Sequence, residues 1–215
     1  MSYNKKIHLD ALSEHEEKKI TLGLHSGYQW IHDPKHFLFS LSRYKFVSKM
    51  LSGYHNVLEI GCGDGFFSAI VKNEVGKLSL TDCEEINIQL IDKKNYQEVF
   101  LHDFVNATFD KVYDAIYALD VLEHIHNEDL FLSNAIQSLH QHGVMIIGMP
   151  SIESQVYASL NSRIGHVNCK SKADLKKVMS AYFHNVFMFS MNDEVLHTGF
   201  DAMSHYLIAL CAGKK

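Results

Sequence analysis

Residues 57–65 read Val-Leu-Glu-Ile-Gly-Cys-Gly-Asp-Gly, and no other stretch of the chain restricts its fold as tightly. An apolar run (Val57, Leu58, Ile60) enters a turn with glycine at three alternate positions, and a helix-compatible stretch, Phe66–Asn73, follows. Strand, glycine turn, helix is the opening unit of a parallel α/β sheet. Gly61, Gly63 and Gly65 remove the Cβ atoms that would keep a ligand off the backbone, and they permit φ > 0 where the chain reverses. Glu59 adds a carboxylate to the same turn. A phosphate cradle would rarely place an anion there, whereas a cationic ligand gains from one. A dinucleotide fingerprint needs its third glycine at position 66, where Phe66 stands, and no Gly-Lys-Ser/Thr follows for a phosphate loop. On these nine residues alone, a glycine turn with a purely structural role is the competing interpretation.

Apolar runs of strand length continue downstream. Strands are expected over Asn56–Ile60, Lys77–Thr81, Glu98–His102, Tyr113–Ala118, Val144–Gly148, Val186–Phe189 and Ser204–Leu210. Helical segments are expected between the first five, one of them Asp129–His140. Upstream, Asp33-Pro34 reads as an N-cap followed by proline at the first helical position. Phe37, Leu38, Leu41, Tyr44, Val47, Met50 and Leu51 then recur at three- and four-residue steps as far as Gly53. Asp10–Ile20 reads as a weaker helix of mixed charge. The fold expected is α/β, with seven strands and five helical crossovers. Residues 1–53 would form an N-terminal helical cap, and residues 54–215 the main domain. After Pro150 a polar insert, about 151–170, covers the carboxyl end of the fifth strand. Ser171-x-x-Asp174 resembles a capping box and opens a helix over Lys172–Tyr182.

Bulk properties narrow the partners. A formal charge of −5 with no Lys/Arg run argues against a nucleic-acid substrate, because phosphate contacts need clustered cations. No apolar stretch approaches the length that spans a bilayer, and Ser2–Lys6 is polar with no apolar region behind it, so neither a membrane span nor export is expected. The four cysteines (Cys62, Cys83, Cys169, Cys211) lack zinc-like spacing and fit reduced thiols in a cytoplasm. The 15 histidines make the charge sensitive to pH between 6 and 7.

The glycine turn resembles motif I of the class I S-adenosylmethionine-dependent methyltransferases, whose cofactor carries an ammonium and a sulfonium. The resemblance covers Val57–Leu210 and implies a Rossmann-like, mostly parallel seven-stranded sheet with helices on both faces. It also implies that the last strand runs antiparallel, joined to its predecessor through the loop Ser190–Met203. Ligands in open parallel sheets bind beyond the carboxyl ends of the strands, and the matches fall there. Glu59, Gly61, Cys62, Gly63 and Gly65 form motif I. Asp82 matches the acidic residue that holds the cofactor ribose, with Cys83 flanking the adenine. Solvated acidic side chains beside Glu84 and Glu85 are the alternative. Asp103 matches the acceptor of the adenine amino group and Phe104 the backbone N–H that reaches the ring, although an aspartate at a strand end is also an ordinary helix N-cap.

Ala118–Ile125 looks like the segment after the fourth strand of small-molecule enzymes similar to ubiquinone-biosynthesis O-methyltransferases, where Leu-Glu-His opens a helix under the methionine end of the cofactor. Leu119 would lie near the methionine moiety, Asp120 at the mouth of the acceptor pocket, and Arg43 and Tyr44 would reach the cofactor carboxylate. Asp120, Glu123 and His124 at i, i+3 and i+4, with the distant His166, also resemble a divalent-metal site of related enzymes, with Asp120 in place of the usual glutamate. A metal is possible and not favoured, because the tripeptide also serves structure. His166 and His124 are the catalytic candidates, His166 leading as the base for a hydroxyl proton. Tyr28, Trp30, His32, Asp193, His197 and Phe200 are weaker candidates for the acceptor rim. The function expected is methylation of a small molecule at a hydroxyl, a sugar or polysaccharide precursor being one version. An N-methyltransferase acting on an amine, or an idle cofactor-binding regulator, are the alternatives. Oligomeric state is not legible.

Overall fold

The computed structural model describes residues 20–91, 93, 96, 98–199 and 201–215; the helix expected at Asp10–Ile20 falls outside them, apart from its last residue. Two helices lead in, α1 (Leu24–His32) and α2 (Pro34–Met50). The Asp33 carboxylate between them accepts from the His36 N–H at 3.1 Å, and Pro34 takes the first turn, where its missing N–H costs nothing. Then come β1 (Asn56–Ile60), α3 (Ser68–Lys72), β2 (Lys77–Asp82), α4 (Glu85–Leu90), β3 (Glu98–Leu101) and β4 (Tyr113–Leu119). The second half holds α5 (Glu128–Gln137), β5 (Leu139–Pro150), α6 (Leu160–Gly165), α7 (Lys172–Tyr182), β6 (Phe183–Asn192), β7 (Val195–His197) and β8 (Tyr206–Lys214).

These strands form one sheet in the order β3-β2-β1-β4-β5-β8-β6-β7. β1 to β5 are parallel, and β8 runs antiparallel between β5 and β6. Strand alternation divides the core between two faces. Leu58, Ile60, Ile116 and Ala118 pack with Phe131, Leu132, Leu175 and Met179 of α5 and α7. Val57, Ala115 and Tyr117 pack with Phe37, Tyr44 and Val47 of α2, and with Val71 and Ile88 of α3 and α4. Helices therefore cover both faces.

Four expectations need correction. The sheet has eight strands, not seven, because the expected loop Ser190–Met203 turns back through Asp193 (φ 52°) and pairs Val195–His197 with Ser190–Asn192. No helix joins β3 to β4; the segment is closed by an Asp103 turn and by the Phe104, Phe109 and His102 rings. That leaves helices in four of the expected five crossovers. The helix expected at Asp129–His140 stops at Gln137, because Leu139 already pairs with Tyr113 ahead of a register shift that brings Ala115 opposite Val144. On α2, Leu38 and Met50 are exposed, and the buried face runs through Phe37, Ser40, Arg43, Tyr44 and Val47.

The insert at 151–170 is pinned at its ends by a parallel bridge between Ser151 and Lys170 and carries a short 3-10 turn followed by α6. Among the described residues, no helix is long and apolar enough to cross a membrane.

Candidate active site

The glycine turn follows β1 as a sharply bent loop, with φ of 75°, 55° and 70° at Gly61, Gly63 and Gly65. A Cβ on Gly61 would stand 2.3 Å from Val121 Cγ2, so another residue here would both strain the left-handed backbone and push the Val121 side chain aside. The Gly61 and Cys62 N–H groups donate to Thr81 O at 2.8 and 3.0 Å, which ties the turn to β2. Beneath it Glu59 is 1% exposed, and its two oxygens accept from Tyr44 Oη and Tyr117 Oη, each at 2.6 Å. Burial raises the Glu59 pKa, and it raises both tyrosines well above theirs, so the trio stays protonated at these hydroxyls. Glu59 thus supports the turn from below. Cys62 is buried, which pushes its thiol up as well.

Asp82 ends β2 and lies against the turn. Its Oδ2 accepts from the Gly63 N–H at 2.9 Å, and its Oδ1 accepts from the Glu84 N–H at 2.9 Å and Asn87 Nδ2 at 3.1 Å. Cys83 beside it is exposed, and Asn87 bonds onward to His25 of α1 at 2.9 Å. At the next strand end, Asp103 closes its own turn by accepting from the Val105 N–H at 2.8 Å and from Asn106 Nδ2. The Phe104 ring is 2% exposed and points into the core, so only its backbone faces the role the resemblance gives it.

The carboxyl end of β4 gathers a second group. Leu119 is buried, and Asp120 takes a left-handed φ of 57°. Both Asp120 oxygens accept from Arg43 Nη1, at 3.0 and 2.9 Å. The Arg43 guanidinium is buried and stacks 3.8 Å over the Tyr206 ring, while Tyr206 Oη has no partner among the described residues. Desolvation by burial works against the Arg43 charge, yet the neighbouring Asp120 raises its pKa overall. The expected single helical face of Asp120, Glu123 and His124 is not formed. Asp120 precedes a lone 3-10 turn, Leu122–His124, and is held by Arg43 instead.

Glu123, His124 and His166 do come together. One ligand atom from each lies within 4.8 Å of the others. Each histidine Nδ1 faces a carbonyl acceptor, His124 on Gly165 O and His166 on Gln155 Oε1, both at 2.9 Å. Carbonyl oxygens accept only, so both rings donate from Nδ1, and His124 Nε2 is turned towards Glu123 Oε1, 3.9 Å away. Glu123 is 1% exposed with Oε2 unpartnered among the described residues, and burial followed by the Asp120 charge raises its pKa well above the usual range. Burial, and then His124, lower the His166 pKa, which makes the ring a weaker base and keeps it neutral, able to accept a proton. The Glu123 backbone also anchors the insert: its O accepts from the Val167 and Asn168 N–H groups at 2.8 and 2.9 Å.

The weaker rim candidates separate. Tyr28 and Trp30 are 65% and 57% exposed on α1, His197 bonds Asn192, Asp193 makes the β6–β7 turn, and Phe200 lies outside the described residues. Sequence reasoning missed Asp64, Ser26, His25, Asn87, Tyr117, Tyr206 and Gln155. Asp64 alone carried a signal, by lying inside the glycine turn; the others meet the site through contacts between distant segments. A groove of about 740 Å³ lined by His55, Asp114, His140 and His142 lies at the amino ends of β1, β4 and β5. That is the end of the sheet away from the strand termini where α/β ligands bind.

The methyltransferase domain family matches residues 12–182 of the chain. A ubiquinone biosynthesis O-methyltransferase of Rickettsia typhi is 26% identical over 122 residues, 53% of this chain and 46% of that protein. The chain spans about half the length of the curated relatives it matches. The N-methyltransferase NodS from Bradyrhizobium japonicum WM9, in complex with S-adenosyl-L-homocysteine, gives a TM-score of 0.62 at 17% identity, covering 80% of this chain and 85% of that one. The plantazolicin methyltransferase BpumL, also solved with S-adenosylhomocysteine, gives 0.67 at 13% identity over 89% and 90% of the two chains. With strand order, glycine turn and family match in agreement, the chain belongs to the methyltransferase domain family and has the fold of the class I S-adenosylmethionine-dependent methyltransferases.

Proposed function

We propose that this enzyme binds S-adenosylmethionine along the carboxyl ends of β1, β2 and β4 and transfers its methyl group to a hydroxyl oxygen of a small molecule. The observation that carries the oxygen assignment is the pair of Nδ1-pinned imidazoles. His166 Nε2 is a free base on a ring kept neutral by its surroundings. In the reaction Nε2 takes the hydroxyl proton, the oxygen lone pair forms the new bond to the methyl carbon, and the carbon–sulfur bond breaks with its electrons left on sulfur. The methyl donor is already activated, so alignment of donor and acceptor supplies much of the rate. Arg43 is suited to the cofactor carboxylate and Asp82 to its ribose. An amine acceptor would be served by a free carboxylate, and Asp120 is engaged by Arg43 instead, which favours the hydroxyl. A sugar or polysaccharide precursor is one such acceptor. A cytoplasmic setting belongs to the same reading, supported by four unpaired cysteines.

A specific observation adds a second element. Glu123, His124 and His166 suit a divalent cation, because carbonyls orient both histidine Nδ1 atoms, His124 Nε2 lies 3.9 Å from Glu123 Oε1, and Glu123 Oε2 has no partner among the described residues. A cation held there would occupy His166 Nε2 and so replace that base, lowering the pKa of an acceptor hydroxyl instead.

The test is calorimetric titration of S-adenosylmethionine and S-adenosylhomocysteine into wild type and Asp82→Ala, followed by acceptor screening with and without Mg²⁺. Micromolar binding that the substitution weakens at least tenfold is expected, on the order of one lost charge-assisted hydrogen bond. Absence of binding to folded wild type would leave only an α/β domain with a glycine turn.

A further inference from the structure

Asp82 has less room for a ribose than a strand-end carboxylate usually offers. An ionised carboxylate has about four lone-pair directions. Three are taken by the Gly63 N–H, the Glu84 N–H and Asn87 Nδ2. One direction on Oδ2 is left, enough for one ribose hydroxyl and not for two.

The polar groups next to that carboxylate are Asn87, buried and bonded to it, and His25, bonded to Asn87 at 2.9 Å. The His25 ring also lies over the glycine turn, 3.5 Å from where a Gly63 Cβ would be. Its helix is held there firmly. The Asp64 Oδ2 accepts from the Ser26 N–H at 2.8 Å and from Ser26 Oγ at 2.9 Å, so a carboxylate of the glycine turn caps α1. Gly23, at the start of α1, approaches Asp64 so closely that a Cβ would stand 2.4 Å from it. Ser26 is fully buried by this contact.

We infer that His25 and Asn87 complete the ribose site: Asp82 takes one hydroxyl, the His25–Asn87 pair meets the other, and α1 must lift from Asp64 for the cofactor to arrive or leave. This rests on the methyltransferase reading above. The probes are S-adenosylhomocysteine and its 2′-deoxy and 3′-deoxy analogues, titrated by calorimetry into wild type, Asn87→Ala, His25→Ala and His25→Gln. Wild type prefers the parent compound over each analogue by on the order of tenfold. Both alanine variants lose affinity for the parent on the order of tenfold, and their preference over one of the two analogues collapses towards unity. His25→Gln, whose amide can still bond Asn87, retains most of it. Ser26→Ala, lacking one of the two donors to Asp64, releases S-adenosylhomocysteine roughly threefold faster or more in stopped flow.

Alanine variants that bind like wild type, or that weaken while keeping the full preference over both analogues, would overturn the ribose role. An unchanged release rate in Ser26→Ala would overturn the part given to α1. Wild type that fails to bind S-adenosylhomocysteine at all removes the methyltransferase reading, and this inference with it.

Discussion

At residue scale, the centre of the fold is a carboxylate with two tyrosine hydroxyls on it. Glu59→Ala would strand Tyr44 Oη and Tyr117 Oη in the core, because neither has solvent within reach. Two buried unsatisfied hydroxyls cost roughly 2–5 kcal/mol, read as a lower urea midpoint; Glu59→Gln, which keeps one acceptor oxygen, costs less. Once an acceptor is identified, His166→Ala should lower kcat by about 10² to 10⁴, the usual contribution of a general base. Gln155→Ala should lower it less and should broaden the pH profile, since it frees the His166 tautomer without removing the ring. Equal loss in both variants would mean that Gln155 holds the insert and not the proton.

At the scale of elements, what could be read in advance followed from local chemistry. The helix expected over Lys172–Tyr182 forms with those bounds, and Ser171 Oγ accepts from the Asp174 N–H at 3.2 Å as its spacing implied. Ser171→Ala should cost about 1 kcal/mol in thermal or urea unfolding, with the Asp174 carboxylate losing its 2.6 Å bond from the same hydroxyl. The central parallel strands were legible for a similar reason: β4 and β5, buried on both faces, carry the apolar runs Ala115–Leu119 and Val144–Ile147. β7 was not, because three residues, Val195–His197, carry no period and exist only by pairing with β6. The missing helix between β3 and β4 has the same origin. Its residues are tied by aromatic contacts and an aspartate turn, neither of which has a helical signature. The site divided likewise: glycines and strand-end acids announce themselves, whereas Ser26, lying 38 positions from Asp64, does not.

On the scale of the whole molecule, acid sensitivity should exceed what surface histidines produce. Burial and the Arg43 charge lower the pKa of His36 and His205 below the ordinary 6.5. Between 6.5 and those lowered values the unfolded chain binds protons that the folded chain refuses, so stability rises with pH there. The melting temperature should therefore fall as pH drops through this window, and His205→Gln should flatten the fall. Asp193 and Asp120 face these rings and oppose the shift without reversing it.

The position of β8 also sets an order on synthesis. It pairs with β5 on one side and β6 on the other, yet it follows both in the chain. Until Tyr206–Lys214 has left the ribosome, β5 and β6 each present an open, apolar edge to any passing strand. The nascent chain therefore exposes both edges throughout the interval between the emergence of β6 and that of β8, when a holding chaperone would matter most. A chain cut before Tyr206 would keep both edges open and would aggregate.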